Sequence, residues 1–173
     1  MFSITRATVK NAASIAAIGA TAVEEAHRGS CSAEDMNAFL EKNYNEMAVQ
    51  EEICTEKNIY HILNYKDATI GFSKIVFNST HSNINRDNIA RLDRIYLLKE
   101  FYGLKFGFEL LKFNIDLAKE NYQSGIWLFT WIGNTRAVDF YHKAGFNIIG
   151  SHQFKVTETH YNEHYQMFLD IRN

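Results

Sequence analysis

The sequence predicts an α/β protein, and three observations lead to that fold class. Strand-like runs of β-branched and aromatic residues are interspersed with amphipathic, helix-like segments along the whole chain. The middle of the chain has the order strand, loop, helix, strand, helix, which is typical of mixed α/β folds. The 173 residues are 46% hydrophobic and 14% aromatic, enough for a sizeable core. Because the chain has no proline and only scattered glycine, nothing marks a linker, and we expect a single domain over residues 1–173.

The first half of the chain predicts one strand, two helices and a hairpin. Ser32, followed by Asp35, is a good start for the second of these helices. The two strand-like runs of the hairpin flank a tight turn at Lys66-Asp67-Ala68. The predicted ranges are strand 2–7, helix 9–28, helix 33–50, and strands 59–65 and 69–77.

The second half alternates strands with two helices. A strand at 89–98 is followed by a loop that contains glycine and by an amphipathic helix through about Glu120. The remaining predicted ranges are strand 125–131, helix 134–145, and strands 146–154 and 164–171.

Composition excludes several functional classes. A net charge of -2 gives no sign of a nucleic-acid partner. The run from Ala12 to Val23 is too short and too polar to span a bilayer, so we interpret it as a buried helix and expect no membrane partner. Cys31 and Cys54 have neither a disulfide pattern nor zinc-type spacing, which favours a cytoplasmic location.

Residues 134–146, Asn-Thr-Arg-Ala-Val-Asp-Phe-Tyr-His-Lys-Ala-Gly-Phe, predict a helix with polar groups along one edge. Asn134 and Tyr141 are seven residues apart, about two helical turns, so both side chains can face one groove. Each also has a purely structural interpretation, since Asn134 is a good helix N-cap and Tyr141 can be an amphipathic core residue. The residues predicted to pack inward are Ala137, Phe140 and Ala144.

The loop before the third predicted helix is a candidate anion site. Its sequence, Glu100-Phe-Tyr-Gly-Leu-Lys-Phe-Gly107, places glycines at 103 and 107 where the helix starts. Free backbone N–H groups and the positive end of the helix dipole can bind an anion there, and a simple turn with close helix–sheet contact is the alternative. The loop lacks the Lys-Ser/Thr ending of a P-loop and a full Gly-x-Gly-x-x-Gly, which argues against an ATPase or a dehydrogenase.

Together these two segments resemble the GNAT superfamily of acetyl-coenzyme A dependent N-acetyltransferases, and the resemblance extends from the first strand to the last. In that family an Asn-x-x-Ala-x-x-Phe-Tyr-x-x-x-Gly-Phe segment follows the motif formed by the fourth strand, the pyrophosphate loop and the next helix. The residues that match this segment are Asn134, Ala137, Phe140, Tyr141, Gly145 and Phe146. The segment Ser32-Ala-Glu-Asp-Met-Asn-Ala-Phe-Leu-Glu41 is similar to the second helix of bacterial spermidine/spermine N-acetyltransferases.

The resemblance implies a GNAT fold, with a mixed, mostly antiparallel sheet of about seven strands flanked by about four helices and splayed between the fourth and fifth strands. It also implies acetyl-coenzyme A as the acyl-donor cosubstrate. Asn134 would hold its pantetheine arm from one side, Leu97 N–H would be a candidate oxyanion donor, and Lys143 would either reach a phosphate or be solvated. The other residues implied to bind this cosubstrate are Ile95, Tyr96, Tyr102, Gly103, Leu104, Lys105, Phe106 and Gly107.

The loop departs from the family pattern, which usually reads Arg/Gln-x-x-Gly-x-Gly/Ala. This chain has Tyr102 at the first position and Lys105 at the middle glycine, and Gly107 keeps its place. Two consequences stay open for Lys105: its side chain either pairs with a phosphate or shifts the loop and weakens cofactor binding.

The predicted reaction is direct attack of an amine on the thioester, which needs donors to the carbonyl oxygen and a proton source for the thiolate. Tyr141 is the predicted general acid, because a phenol pKa of about 10 is reasonably matched to a thiol pKa of roughly 8.5. Asp93 is a candidate general base, and an ion pair with Arg91 or Arg94 is the alternative for that carboxylate.

The predicted acceptor is a small primary amine, and the resemblance implies a polyamine such as spermidine or spermine. A polyamine site needs acidic side chains, for which the candidates are Glu24, Glu25, Glu34 and Asp35 on the first two helices. Acetylation of a protein or peptide amine, and acyl-coenzyme A binding without catalysis, stay as alternatives. His160 and His164 lack a third ligand, so no metal is predicted, and a homodimer is left open.

Overall fold

The structure, a computed structural model, describes residues 1–172 and is built on one seven-stranded sheet. Its strands are β1 (Phe2–Arg6), β2 (Ile59–Tyr65), β3 (Ala68–Val76), β4 (Ile89–Leu97), β5 (Gly125–Trp131), β6 (Asn147–Lys155) and β7 (Tyr161–Asp170). Their order in the sheet is β1-β2-β3-β4-β5-β7-β6, and every pair is antiparallel except β4 with β5. The predicted mixed, mostly antiparallel sheet is confirmed.

Five α-helices lie within the described residues, rather than the expected four or so. They are α1 (Ala12–Ala26), α2 (Ala33–Asn43), α3 (Glu46–Cys54), α4 (Phe106–Glu120) and α5 (Thr135–Lys143). Ser32 caps α2 as predicted, because its hydroxyl oxygen accepts the Asp35 N–H at 3.1 Å. None of these helices combines the length and the apolar character needed to cross a bilayer.

The predicted helix 33–50 is wrong because the chain breaks at Tyr44 and Asn45. The Asn45 side chain accepts the Ala48 N–H at 2.9 Å and so starts a new helix, α3. The Tyr44 ring is buried against Gly19 of α1, where a Cβ atom would lie 2.1 Å from the ring. This close approach fixes the corner between α2 and α3 against α1.

Helices cover both faces of the sheet. On what we call the first face, α1 and α3 enclose a core that includes Ile15, Val49 and Phe72. On the second face, α4 and α5 pack over a core that includes Leu111 and Leu128. The inward positions predicted for α5 are confirmed, since Ala137, Phe140 and Ala144 all pack against this second core.

β4 carries one extra residue and then separates from β5. Leu92 pairs with Ile75 and Arg94 with Lys74, so Asp93 has no partner of its own in β3. The side chains of Asp93 and Arg94 therefore both contact groups on the first face. β4 pairs with β5 only over Ile89–Arg91, so residues 92–97 line a gap between the two strands. This gap is the predicted splay.

Candidate active site

The gap between β4 and β5 opens into a cavity of about 930 Å³. Its walls come from β4 residues 92–97, β5 residues 129–131, the loop before α4, helix α5, and the helices of the first face. We call the part lined by Tyr102, Gly103, Lys105, Arg136 and Lys143 the loop end. We call the part lined by His27, Phe39, Phe129, Trp131, Phe154 and His164 the first-face end.

The backbone of β4 presents free polar groups to the gap. Leu98 donates its N–H to the Ile70 carbonyl of β3 at 2.9 Å. Because backbone groups alternate in direction along a strand, the N–H and C=O groups of Leu97 and Ile95 point away from β3 and towards β5. An extended amide-bearing chain can bind there as an additional strand, in the position predicted for a pantetheine arm.

The loop before α4 contains two residues with positive φ directly before the first turn of the helix. Gly103 has φ +80° with open space around it, and Lys105 has φ +64° as the N-cap residue of α4. Lys105 makes no side-chain cap hydrogen bond, so the first N–H groups of α4 are free to bind a ligand. Phe106 is buried and anchors the loop, whereas Leu104 is exposed. Gly107 lies close to the Phe140 ring of α5.

A cation from α5, which the sequence analysis missed, completes the loop end. The Arg136 guanidinium lies over the Tyr102 ring, 3.5 Å from its centroid. Lys143 is exposed on the same helix and also lines the cavity. The loop end thus combines free helix N–H groups with the cations of Lys105, Arg136 and Lys143. The sequence signal that could have identified this cation was the basic side chain of Arg136, two residues after the motif asparagine Asn134.

Asn134 caps its helix and also lines the cavity. Its side-chain oxygen accepts the Ala137 N–H at 3.1 Å and so caps α5. An amide also carries two N–H donors, and Asn134 lines the cavity. Capping therefore leaves the amide nitrogen of Asn134 available to a ligand.

Tyr141 is buried on the second face and lines the cavity. Its ring packs against Phe140 and Phe146, with centroids 5.3 Å and 5.5 Å away. Burial, with a smaller effect from Tyr96, raises the pKa of the Tyr141 phenol above its ordinary value. The hydroxyl is therefore protonated at neutral pH.

Asp93 is held in ion pairs. Its carboxylate lies 2.7 Å from Arg91 and 3.0 Å from Lys74. Burial alone would raise the pKa of Asp93, but Arg91 and Lys74 outweigh it and the pKa is lowered. Asp93 therefore forms the ion pair with Arg91 that the sequence analysis gave as the alternative to a general base, with Lys74 as a second partner. A carboxylate whose pKa is lowered is a weak proton acceptor.

The four acidic residues predicted to contact substrate lie off the cavity wall. Glu25 pairs with Arg28 at 2.9 Å and with Lys99 at 2.6 Å. Asp35 accepts a hydrogen bond from Ser32 at the start of α2. Glu24 and Glu34 are exposed on their helices. Asp93 is the one carboxylate among the cavity-lining residues that the structure describes.

Two cavity histidines come from distant parts of the sequence. His27 follows the last residue of α1, and His164 lies within β7, which begins at Tyr161, three residues before the predicted start of this strand. His160 instead approaches the Ser30 carbonyl, with Nε2 at 2.8 Å from that oxygen. Residues 1–172 contain no group of three or more side chains suited to hold a metal ion.

Comparison with known proteins identifies the family to which this chain belongs. The model of the acetyltransferase (GNAT) family matches residues 31–146. An uncharacterized N-acetyltransferase of Lactobacillus delbrueckii subsp. lactis is 31% identical over 123 residues, 71% of either chain. The chain therefore belongs to the acetyltransferase (GNAT) family, and it is an acyltransferase.

Solved structures show the same fold. The PaiA N-acetyltransferase of Thermoplasma acidophilum, in complex with coenzyme A, has a TM-score of 0.78 at 18% identity and covers 98% of this chain and 99% of its own. The ribosomal-protein-S18-alanine N-acetyltransferase of Escherichia coli has a TM-score of 0.66 at 17% identity, and the match covers 100% of this chain and 96% of that protein. The predicted GNAT fold is confirmed by these matches.

Proposed function

We propose that this chain transfers the acetyl group of acetyl-coenzyme A to a small primary amine by direct attack on the thioester. The observation that carries the proposal is the open gap between β4 and β5, which joins the anion-binding loop end to the aromatic first-face end in one cavity. A carrier with a charged diphosphate and an extended amide arm fits the first part of this path, and an amine fits the second. Coenzyme A in the Thermoplasma structure supports the choice of carrier.

Each group in the gap has a role in this transfer. The N–H of Leu97 is the donor for the oxygen that gains charge as the amine attacks. Tyr141 supplies the proton that the departing thiolate needs. The N–H groups at the start of α4, with Lys105, Arg136 and Lys143, hold the phosphates.

A polyamine such as spermidine or spermine is the acceptor that the second-helix resemblance implies. The first-face end favours a second candidate, an amine with an apolar or aromatic body, because the walls there include Phe39, Phe129, Trp131 and Phe154. Aromatic faces bind apolar surface and also bind a cationic ammonium group. The acidic residues that would select a polyamine, Glu24, Glu25, Glu34 and Asp35, lie outside this wall.

A thiol-release assay with acetyl-coenzyme A tests the proposal. The acceptors to compare are spermidine and spermine, aromatic monoamines, and short peptides with a free N-terminal amine. Turnover of the first group supports a polyamine acceptor, and turnover of the second supports the aromatic alternative. Turnover of peptides alone indicates a protein amine acceptor. Coenzyme binding without turnover of any amine contradicts catalysis and favours a non-catalytic binder.

A further inference from the structure

The first-face end contains an imidazole pair to which the proposed transfer has so far given no role. The ring centroids of His27 and His164 are 6.0 Å apart. His164 lies directly opposite Trp131 in the β5–β7 pairing, and His27 stacks on the same Trp131 at 5.8 Å. Both imidazoles are therefore held at the end of β5, where β4 has already separated from it.

The hydrogen bond of His164 defines which of its nitrogens is free. Its Nδ1 lies 3.1 Å from the Asn162 carbonyl oxygen, which can only accept. Nδ1 therefore carries the proton of the neutral ring, and Nε2 carries the lone pair. No hydrogen bond to Nε2 forms within residues 1–172, so this nitrogen is available to a ligand in the cavity.

His164 is neutral at physiological pH. Burial lowers its pKa, the hydrogen bond with Asn162 opposes that effect, and His152 of β6 adds to it. Burial, with a contribution from His164, lowers the pKa of His27 to about 4. The titratable groups that face His164 are thus His27 from α1 and His152 from β6, while Trp131 and Phe154 bring no charge.

We propose that His164 is the general base that removes the proton of the attacking amine, an inference that rests on the proposed acetyl transfer. The base and the proposed acid lie on opposite faces of the sheet, because His164 contacts α1 whereas Tyr141 packs in the core of the second face. The thioester would lie between them in the gap. Asp93 is less suited to this role because two cations already neutralise it.

The step conserves atoms and charge. The amine nitrogen forms a bond to the thioester carbon, its proton moves to Nε2 of His164, and the carbon–sulfur bond breaks. The sulfur receives its proton from Tyr141. Imidazolium and tyrosinate then return to their neutral forms by proton exchange with water, so one amine and one thioester give one amide and one thiol.

The test compares His164→Asn with His152→Asn. Asparagine retains an N–H donor for the Asn162 carbonyl but has no group at the position of Nε2. We expect His164→Asn to lower kcat/KM by about 10²-fold at pH 7, with acetyl-coenzyme A affinity unchanged. In the wild type, protonation of His164 should make kcat/KM fall at acidic pH. We expect the variant to lose this acidic limb of the pH profile. His152 is exposed, pairs directly with His164 and does not line the cavity. His152→Asn should therefore retain an acidic limb, shifted slightly to higher pH because the contribution of His152 to the lowered pKa of His164 is lost.

Two further measurements separate the alternatives. Added imidazole should restore part of the rate of His164→Ala, and no restoration in a variant that still binds acetyl-coenzyme A would overturn the proposal. If His27→Asn loses the acidic limb and His164→Asn retains it, the general base is His27, and the proposal for His164 is overturned as well. A wild type without turnover of any amine refutes the acetyl transfer itself, whereas an active wild type with an unchanged His164→Asn refutes only the base.

Discussion

In the proposed transfer, the phenol of Tyr141 has to stay protonated until a thiolate forms beside it. An ordinary phenol has a pKa of about 10 and a thiol one of about 8.5. Because burial raises the pKa of Tyr141, the proton is retained throughout the neutral range, and its release to sulfur is less favourable than it would be from an exposed tyrosine. We therefore expect the hydroxyl to act mainly while the carbon–sulfur bond is breaking, when charge accumulates on the sulfur.

Tyr141→Phe tests this role directly. The ring keeps its packing against Phe140 and Phe146 and only the proton is lost, so we expect kcat to fall by about 10²-fold or more with little change in cofactor affinity. Steady-state kinetics and calorimetric titration with acetyl-coenzyme A measure the two effects. The control is Tyr122→Phe, because Tyr122 is 87% exposed. A kcat equal to that of the wild type would remove Tyr141 from the mechanism.

Lys105 carries a side chain where the backbone favours glycine, since its φ is +64°. Lys105→Ala removes the charge but keeps the Cβ atom, and Lys105→Gly removes both. We expect both variants to weaken acetyl-coenzyme A binding, by roughly fivefold for the loss of one phosphate contact, and Lys105→Gly to be about 1 kcal/mol more stable than Lys105→Ala. Titration and urea unfolding measure these effects.

The control for Lys105 is Lys119→Ala, which removes an exposed cation at the other end of α4. Tighter binding by Lys105→Gly than by the wild type would contradict phosphate pairing. It would instead indicate that the Lys105 side chain obstructs the approach of the diphosphate to the loop backbone.

A network of charges holds α3 against the centre of the sheet. Glu52 of α3 lies 2.8 Å from Lys74 of β3 and 2.8 Å from Arg94 of β4. Tyr60 of β2 donates its hydroxyl to the same carboxylate at 2.5 Å. Because Lys74 also pairs with Asp93, the network supports the first-face side of the gap through the extra residue of β4.

The network predicts a pH dependence of stability. Burial alone would raise the pKa of Glu52, but Arg94, Lys74 and Tyr60 outweigh it and the pKa is lowered. A lowered carboxylate pKa contributes stability above the ordinary value of 4.5, and this stability is lost as the pH falls through the folded pKa. The wild type should therefore lose stability as the pH falls from 4.5 through the lowered pKa of Glu52.

Glu52→Gln tests this dependence by urea unfolding at a series of pH values. We expect the variant to be about 2 kcal/mol less stable at pH 7, less than the roughly 3–5 kcal/mol of a fully buried pair, because the Glu52 side chain is 31% exposed. The difference should shrink as the pH falls below 4.5. Glu51→Gln, at the exposed neighbouring position, should show neither effect. A difference that does not vary with pH would contradict the linkage.

Local signals predicted most of the elements, and non-local packing explains the exceptions. The hairpin of β2 and β3 was predicted from its turn, and the pairing of Tyr65 with Ala68 confirms it. The break at Tyr44 was missed because it depends on contact between that ring and Gly19, some two dozen positions earlier. The extra residue of β4 was missed for the same reason, since it exists only relative to the register of β3.

The two ends of the cavity differ in how far the sequence predicted them. The loop end is formed by two continuous segments, so the glycine loop and the motif around Asn134 marked most of it. The first-face end joins side chains that are far apart in the chain, including His27, Phe39, Trp131 and His164. No local pattern relates these residues, and so the acidic residues of α1 and α2 were predicted in their place.

A cavity that spans the middle of the sheet makes stability depend on its ligand. β4 and β5 diverge over residues 92–97, and the edge groups of Leu97 and Ile95 have no strand partner there. A ligand that bridges this gap binds the folded chain and has no site on the unfolded one. Acetyl-coenzyme A at about 100 times its dissociation constant should therefore stabilise the fold by about 2.7 kcal/mol.

For a chain of this length that free energy corresponds to a rise in Tm of roughly 5–10 °C. Differential scanning calorimetry with and without acetyl-coenzyme A measures the rise, and no amine is needed, so the result is independent of the acceptor. Asn134→Asp is a matched variant that keeps the cap of α5 but replaces the free amide nitrogen with an acidic oxygen, so its rise should be smaller. An unchanged Tm at millimolar acetyl-coenzyme A would show that the gap does not bind the carrier, and the acetyl transfer built on it would fail with it.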